Sequence, residues 1–251
     1  MEKKEAGFNI VIIIPTYNEA GPIKKTLSLL QVVIAKMPKH QITILVYDSN
    51  STDETVAIVS SLLNKYNNII LLQEAKKSGL GSAYINAMKY VIDNLDADIV
   101  FEFDADGSHQ PCFIPDMIQQ IENGMDVVMG SRYVKNGKID VDWTWNRRII
   151  SRLGNGIARL LLTWKFKDIT SGFRATKVNF LKQINFDSIL SKNYAYKIHL
   201  FWMLLQLRAN IIEIPITFLE REHGISKFPK NNVIESLRVV LTLRWRKLLG
   251  K

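Results

Sequence analysis

Runs of consecutive apolar residues alternate with amphipathic stretches over the first 130 positions of the chain. Five runs have the length and β-branched content of buried strands; they span 8–14, 41–47, 68–73, 98–103 and 126–129. The stretches between them repeat apolar residues every three or four positions, which predicts helices near 20–36, 53–65, 80–94 and 113–122. This alternation predicts an α/β fold with a Rossmann-like, mostly parallel central sheet flanked by helices.

The composition is typical of a folded globular protein. Of 251 residues, 47% are hydrophobic and 23% are charged, and no run approaches the roughly 18 apolar residues of a membrane span. The first seven residues are too charged for a signal peptide, so we expect a cytoplasmic protein. Cys112 is the only cysteine, which excludes an internal disulfide, and the four histidines lack zinc-ligand spacing.

The net charge of +9 is concentrated in the second half of the chain. Residues 132–174 contain ten Lys and Arg against three Asp and Glu, and residues 221–251 contain eight against two. Such an excess predicts an anionic partner, although a solvated basic surface is the alternative. We do not expect nucleic acid, because the sequence has no helix-turn-helix, zinc-finger or RNP-type motif.

Polar clusters follow three of the predicted strands. They are Pro15 to Glu19, Asp48 to Asp53, and the Asp104-Ala105-Asp106 triplet. Because the carboxyl ends of parallel strands meet at one edge of a sheet, these clusters predict one nucleotide-binding crevice. Two carboxylates separated by one residue can bind Mg²⁺ or Mn²⁺ carrying a diphosphate, whereas capping of a turn is the structural alternative. Neither a Gly-x-Gly-x-x-Gly motif nor a P-loop is present, so metal and cationic side chains must hold the phosphates.

Seven segments together resemble a known family. The chain is similar to the inverting GT-A glycosyltransferases of family 2 and, within them, to the dolichyl-phosphate (polyprenyl-phosphate) mannose synthases. The matching segments follow the family order from residue 10 to about 245: Pro15 to Glu19, Asp48 to Thr55, Lys77 to Tyr84, Asp104 to Pro111, Gly130 to Tyr133, Asp168 to Arg174 and Glu213 to Lys227.

The resemblance implies a role for individual residues. Those implied to bind the nucleotide-sugar donor are Pro15, Tyr17, Glu19, Asp48, Lys77, Gly79 and Asp104, with Arg221 and Lys227 in a C-terminal donor-phosphate loop. The implied ligands of the Mg²⁺ or Mn²⁺ ion are Asp104 and Asp106. The residues implied to bind the acceptor phosphate are Arg132, Arg147, Ser151 and Arg174. The implied catalytic residues are Asp104, Asp106, Arg132 and Arg147.

The implied reaction is transfer of a hexose to a lipid phosphate. The resemblance indicates mannose from GDP-mannose as the donor and a polyprenyl or dolichyl monophosphate as the acceptor, with inversion at the sugar. A phosphate monoester is already mostly dianionic at neutral pH, so it needs little help from a general base. It does need relief from charge repulsion, which guanidinium groups supply, and this explains the basic second half.

A lipid acceptor requires the protein to reach a membrane. The segment 142–148 joins two tryptophans to two arginines and continues into an apolar-periodic stretch at 149–164, and residues 233–251 are likewise amphipathic and basic. We predict peripheral association with the cytoplasmic face of a membrane, with a membrane-anchoring subunit as a possible further partner. The predicted division is a GT-A domain at 1–230 and a basic amphipathic helix at 231–251. The alternative is that both helices only pack their apolar stripes on the core.

Two segments depart from the family pattern. The loop at 48–55 lacks the second Asp and both glycines of the usual motif, and Lys197 and His199 stand where Gln and Glu are common. The alternatives are therefore a UDP-sugar donor, such as UDP-glucose, or a nucleotide-sugar-binding subunit without catalysis. His199 is either a third metal ligand or a structural residue on its helix.

Overall fold

Seven strands form the central sheet of the computed structural model, which describes residues 7–140, 143, 145–220 and 230–250. Numbered along the chain, the strands are β1 (Asn9–Thr16), β2 (Gln41–Asp48), β3 (Ile69–Gln73), β4 (Ile99–Glu102), β5 (Val127–Ser131), β6 (Lys138–Ile139), β7 (Arg174–Lys177), β8 (Ile211–Pro215) and β9 (Thr217–Phe218). Their order in the main sheet is β3-β2-β1-β4-β7-β5-β8, while β6 and β9 form a separate pair.

Six of the seven strands in the main sheet run in one direction. Only β7 is antiparallel to its neighbours β4 and β5, so the sheet is mostly parallel, as predicted. The apolar pattern does not predict β7, because three of its four residues are polar. Two of them, Arg174 and Thr176, are nevertheless buried between two strands, and Lys177 is half-buried, so tertiary contacts outweigh local hydrophobicity here.

Eight helices cover the faces of the sheet in the described residues. They are α1 (Ala20–Ile34), α2 (Thr55–Leu63), α3 (Leu80–Asn94), α4 (Ile114–Glu122), α5 (Trp145–Leu161), α6 (Val178–Leu181), α7 (Tyr196–Gln206) and α8 (Lys230–Leu248). The first four confirm the helices predicted from the spacing of apolar residues. The predicted α/β class with a mostly parallel sheet between helices is confirmed as well.

The core consists of one apolar layer on each face of the sheet. In β1, Ile10, Ile12 and Ile14 contribute to the layer under α1, α2 and α4, whereas Val11 and Ile13 contribute to the layer under α3 and α7. Because both faces of β1 are buried, its apolar residues form a continuous run rather than an alternating pattern. This arrangement fixes the carboxyl ends of β1, β2 and β4 at one edge.

Helices α5 and α8 lie against each other on the second face of the sheet. Val239, Val240 and Leu243 of α8 are 2% exposed and belong to the apolar layer under α3 and α7, so α8 packs on the core. The same two helices also carry exposed apolar side chains, including Leu153 and Trp245. Within the described residues, no helix has both the length and the apolar character needed to cross a membrane.

Candidate active site

A cavity of about 720 Å³ opens at the carboxyl ends of the central strands. In open α/β sheets this edge is where ligands bind, because the loops that follow neighbouring strands converge there. Eight of the fourteen site residues predicted from the sequence line it: Pro15, Tyr17, Glu19, Lys77, Gly79, Asp104, Arg132 and Ser151. The structure therefore brings together residues that are more than 130 positions apart in the chain.

The loop after β2 is organised around the carboxylate of Asp48. This buried group accepts hydrogen bonds from Thr16 Oγ1 at 2.9 Å and from the backbone N–H and hydroxyl of Ser51 at 2.9 and 2.5 Å. Asn50 has φ 60°, a left-handed conformation that asparagine tolerates better than most residues. The loop thus closes without the glycine of the family pattern. Asp48 itself does not line the cavity, but the adjacent Ser49 does.

Tyr17 and Lys77 are in contact inside the cavity. The ammonium of Lys77 lies 3.3 Å from the centre of the Tyr17 ring, a cation–π arrangement. Gly79 has φ 107°, and a Cβ there would overlap the backbone oxygen of Lys192, so this position requires glycine. Its bare backbone lets the loop at 192 approach the start of α3 closely.

Asp104 and Asp106 directly follow β4 and are held by neighbouring groups. Asp104 Oδ1 accepts a hydrogen bond from the Tyr84 hydroxyl at 2.8 Å, and the Asp104 backbone N–H donates to His109 Nδ1 at 3.0 Å. Asp106 Oδ1 accepts hydrogen bonds from the backbone N–H and hydroxyl of Ser108 at 3.0 and 2.6 Å. Burial lowers the pKa of His109, which keeps its ring neutral and lets Nδ1 act as an acceptor. Both carboxylates therefore have fixed positions; Asp104 lines the cavity, whereas Asp106 is 5% exposed and does not.

The oxygen atoms of Asp104 and Asp106 fit a hard divalent cation that shares its coordination with a substrate. In the part of the chain that the structure describes, no third Asp, Glu, His or Cys completes a site made of protein ligands alone. Mg²⁺ usually binds proteins through one or two carboxylates together with substrate phosphates and water. The Asp104 side chain is 21% exposed, so an ion carrying a diphosphate can reach it from the cavity.

Arg132 is fixed at the end of β5 by Asp168. Its Nε and Nη2 donate to the two carboxylate oxygens at 2.7 and 2.8 Å, and its backbone N–H donates to the same carboxylate at 3.0 Å. Asp168 is fully buried, and its own backbone N–H donates to Glu213 at 2.7 Å. Burial alone would lower the pKa of Arg132, but the charge of Asp168 raises it above its usual value. A rigid guanidinium, whose charge is compensated by Asp168, therefore faces the cavity.

Asp168 is a site residue that was not predicted, although it lies within the segment Asp168 to Arg174 that resembles the family. The sequence gives only a weak indication of its importance. Asp168 is one of three acidic residues in the segment 132–174, which has ten basic residues. Tyr84 was not predicted as a site residue either, although it ends the matching segment Lys77 to Tyr84. In the structure it is both buried and hydrogen-bonded to Asp104.

The remaining predicted phosphate-binding residues differ in their placement. Ser151 lies on α5, lines the cavity and shares a hydrogen bond of 2.8 Å with the Tyr133 hydroxyl. Arg147 lies one turn earlier on α5, and its side chain is outside the described part of the structure. The predictions for Arg221 and Lys227 also fall outside the described residues.

The structure does not bring Arg174 to the cavity. Its guanidinium is fully buried and forms an ion pair with Glu102, directly across the β4–β7 ladder. Tyr196 donates a hydrogen bond of 2.6 Å to the other oxygen of Glu102, and Arg174 Nη1 donates to the backbone oxygen of Lys197 at 3.4 Å. Arg174 is therefore committed to a pair inside the sheet that supports the start of α7.

His199 also lies away from the cavity. It is 3% exposed on α7, and its Nδ1 accepts a hydrogen bond of 3.1 Å from the backbone N–H of Leu190. Burial, with a smaller contribution from the charge of Arg246, lowers its pKa to about 4. The ring is thus neutral and structural, and it does not join Asp104 and Asp106 as a metal ligand.

One side of the cavity is apolar and lies between α5 and α8. The side chains that line it there are Ile150, Ile157, Val233, Leu237 and Val240. Gly154 adds open space, since a Cβ at this position would meet no atom within 4 Å. Ile150, Ile157 and Leu237 remain 48%, 42% and 42% exposed, respectively. The same cavity thus joins a polar region at the strand ends to an apolar region that opens to solvent.

The sheet topology and the two aspartates after β4 define a GT-A glycosyltransferase. The model of glycosyl transferase family 2 matches residues 11–184, and the chain belongs to this family. Solved structures agree on the fold. Glucosyl-3-phosphoglycerate synthase from Mycobacterium tuberculosis, crystallised with Mn²⁺, UDP and glucosyl-3-phosphoglycerate, superimposes with a TM-score of 0.66 at 18% identity, covering 95% of this chain and 80% of that one.

A second solved structure is the mannosyltransferase PcManGT from Pyrobaculum calidifontis in complex with GDP-Man and Mn²⁺. It has a TM-score of 0.61 at 16% identity and covers 98% of this chain and 65% of that one. Two relatives are closer in sequence. Polyprenol monophosphomannose synthase of Mycolicibacterium smegmatis is 34% identical over 230 residues, which are 90% of this chain and 83% of that protein. Undecaprenyl-phosphate mannosyltransferase of Micrococcus luteus is 35% identical over 236 residues, which are 94% and 93%.

Proposed function

We propose that this glycosyltransferase transfers a hexose, mannose from GDP-mannose, to a polyprenyl or dolichyl monophosphate at a membrane surface, with inversion at the sugar. The observation that carries the proposal is the two-part cavity, whose polar region suits a nucleotide sugar and whose apolar region suits a lipid chain. The names of the two relatives from Mycolicibacterium smegmatis and Micrococcus luteus support the acceptor and the sugar.

The polar region of the cavity is the proposed donor site. Pro15, Tyr17 and Glu19 contact the nucleoside, and Asp48 positions the loop beside it. Lys77 and Gly79 complete this site, and Arg221 and Lys227 add the donor-phosphate loop. Asp104 and Asp106 would hold Mg²⁺ or Mn²⁺. When bound, this ion stabilises the charge that develops on the leaving nucleoside diphosphate.

Arg132, Arg147 and Ser151 form the proposed site for the acceptor phosphate. Arg132 and Ser151 both line the cavity, and the Asp168 pair holds the Arg132 guanidinium in one orientation. The Nε and Nη2 groups of Arg132 are bonded to Asp168 and Thr170, so Nη1 is the group proposed to bind a phosphate oxygen. The charge of a guanidinium does not depend on pH. Arg174 is left out of this site, because its side chain is paired with Glu102.

The transfer step requires positioning more than acid–base chemistry. An oxygen of the dianionic lipid phosphate attacks the anomeric carbon, the new C–O bond forms, and the bond to the nucleoside diphosphate breaks on the opposite face. Arg132 screens the repulsion between the attacking phosphate and the donor diphosphate. No proton has to leave the attacking oxygen, so a general base is not required.

The exposed parts of α5 and α8 form the proposed membrane-facing surface. Its apolar members are Trp145, Leu153, Leu160, Ile234, Leu241, Trp245 and Leu248, each at least 50% exposed. Exposed Arg152, Arg238, Arg246 and Lys247 lie on the same helices, and each can contribute roughly 1 kcal/mol near an anionic bilayer. This mixture of indole, aliphatic and basic groups suits the headgroup layer on the cytoplasmic face, with or without an anchoring subunit.

The experiment that tests the proposal measures transfer of radiolabel from GDP-mannose, UDP-glucose and UDP-N-acetylglucosamine to dolichyl and undecaprenyl phosphate. We expect a mannosyl lipid from GDP-mannose with Mg²⁺ or Mn²⁺ and none with EDTA. If product forms only from a UDP-sugar, the proposed donor is wrong, but the proposed lipid-phosphate acceptor stands. Nucleotide binding without any lipid product would instead identify a non-catalytic nucleotide-sugar-binding subunit.

A further inference from the structure

Lys197 places a buried positive charge beside the two aspartates that follow β4. The side chain is 1% exposed, and its Nζ lies 3.5 and 3.4 Å from Oδ1 and Oδ2 of Asp104. These two long contacts are the hydrogen bonds that the ammonium makes within the described residues, and both go to one carboxylate. An ammonium has three N–H donors, so at least one is available to a ligand in the cavity that Lys197 lines.

The surroundings of Lys197 hold the ammonium in this position. A Cβ at Gly172 would overlap Nζ, so glycine is required for the ammonium to fit. The rings of Tyr84 and Tyr194 have their centres 5.7 and 5.2 Å from Nζ, a cation–π arrangement. The backbone oxygen of Lys197 accepts the hydrogen bond from Arg174. The ammonium is therefore surrounded by Asp104, two tyrosine rings and the backbone at Gly172, and Arg174 bonds the backbone of the same lysine.

A cation at this distance changes what Asp104 can bind. The ammonium neutralises one carboxylate charge. Asp104, Asp106 and Lys197 together therefore carry one net negative charge, whereas the two aspartates alone would carry two. A divalent cation approaching the pair must then compete with Lys197 for Asp104 and is repelled by it. An anionic diphosphate in the same place gains the attraction of the ammonium instead.

We propose that Lys197 is a donor-binding residue of this site, whose ammonium pairs with Asp104 in the empty protein and contacts the diphosphate of the nucleotide sugar through its remaining N–H groups, with or without a metal ion on Asp104. The inference rests on the proposed nucleotide-sugar donor. It adds that the protein keeps part of its affinity for the diphosphate when no metal ion is bound. It also adds that Lys197 weakens the affinity of the empty site for a divalent ion.

The test compares the wild-type protein with Lys197→Met and Lys197→Gln. Binding of Mn²⁺ alone is measured from the electron paramagnetic resonance signal of the free ion, and binding of GDP and UDP in EDTA is measured by calorimetry. Removal of the charge is expected to tighten Mn²⁺ binding about tenfold or more and to weaken metal-free nucleotide binding by a similar factor. The matched control is Lys192→Met, which removes an exposed lysine five positions away and should change neither value by more than about twofold.

The outcomes separate this inference from the proposed function. Unchanged Mn²⁺ and nucleotide affinities in a folded Lys197→Gln protein would overturn the role of Lys197, even if lipid transfer is observed. Wild-type protein that binds Mn²⁺ and nucleotide with the expected response to Lys197→Gln, yet glycosylates no lipid phosphate, would support Lys197 and contradict the proposed acceptor. Failure of Mn²⁺ to bind both the wild-type and the Lys197→Gln protein would overturn the inference, because Asp104 would then bind no metal ion for Lys197 to oppose.

Discussion

The polar and apolar regions of the cavity are built in opposite ways. At the strand ends, buried partners hold the functional groups: Asp168 fixes Arg132, and Tyr84 fixes Asp104. Between α5 and α8, the lining consists of aliphatic side chains such as Ile150 and Leu237, which are almost half exposed and have no directional contacts. One region is a fixed array of charges, and the other is an open apolar surface.

The difference follows from what each region is proposed to bind. A sugar diphosphate is small, charged and directional, so its site benefits from groups that do not reorganise during the reaction. A polyprenyl chain is long, apolar and flexible, and its burial depends on contact area rather than on geometry. Substitutions in the polar region should therefore have large, local effects on catalysis or stability, whereas those in the apolar region should have smaller, additive ones.

The largest expected effect is on the aspartates after β4. Asp104→Asn or Asp106→Asn removes a charge that the proposed metal ion needs, so transfer should fall at least about a thousandfold, equivalent to roughly 4 kcal/mol. The measurement is the initial rate with saturating Mn²⁺, accompanied by circular dichroism to show that the fold survives. Asp187→Asn is the control, because that side chain is 86% exposed and lies outside the cavity. Turnover at the wild-type rate in Asp106→Asn would refute the metal role.

The second effect concerns stability and the buried pair of Arg132 and Asp168. Asp168→Ala leaves a buried guanidinium without its carboxylate, which is expected to lower the free energy of unfolding by about 3–5 kcal/mol. Urea denaturation followed by tryptophan fluorescence measures this change. Arg152→Ala on the exposed side of α5 should change the same quantity by less than about 0.5 kcal/mol. Equal effects of the two substitutions would show that the pair does not stabilise the polar region.

The third prediction separates the acceptor from the donor. Arg147→Ala should raise the KM for the lipid phosphate about tenfold or more, the loss expected for one charge-assisted hydrogen bond, while leaving nucleotide affinity unchanged. Steady-state kinetics with varied lipid phosphate, together with calorimetry of GDP binding, provides both values. A matching loss of nucleotide affinity would move Arg147 from the acceptor site to the donor site.

The smallest expected effect concerns the exposed surface of α5 and α8. Trp145→Ser combined with Trp245→Ser should lower co-sedimentation with anionic liposomes several-fold at low salt, because two interfacial side chains are lost. The control is Leu29→Ser, because Leu29 is an exposed residue of α1, which covers the opposite face of the sheet. If the wild-type protein fails to co-sediment at low salt, this surface does not bind membranes unaided, and a membrane subunit would have to supply the attachment.

The apolar periodicity was sufficient to predict most of the architecture but not all of it. The strands β1 to β5 and the helices α1 to α4 follow from local sequence, because each buries a contiguous or regularly spaced set of apolar residues. Strand β7 could not be predicted in this way, since Arg174 and Thr176 are buried through partners on neighbouring strands. This segment forms a strand because it pairs with β4 and β5, which are distant in the sequence.

The candidate site was predictable to the extent that it consists of motifs at strand ends. Tyr17, Asp104 and Arg132 reach one cavity because the ends of parallel strands converge there. Asp168, the buried partner of Arg132, gives only a weak signal as one of three acidic residues in a basic segment. Its pairing with Arg132 joins residues 36 positions apart, which no local pattern reveals. The sequence also could not show that Arg174 points away from the cavity, because a motif does not reveal which side of a strand its arginine occupies.

The most direct test of the central claim, that one cavity holds both a nucleotide sugar and a polyprenyl phosphate, is photo-crosslinking with a short polyprenyl phosphate that carries a diazirine on its first isoprene unit. Crosslinked peptides are identified by mass spectrometry with and without GDP and Mn²⁺. We predict labelling of α5 and α8 around Ile150, Ile157 and Leu237, and competition by unlabelled polyprenyl phosphate but not by GDP. Labelling confined to other surfaces, or displaced by GDP alone, would contradict the two-region account.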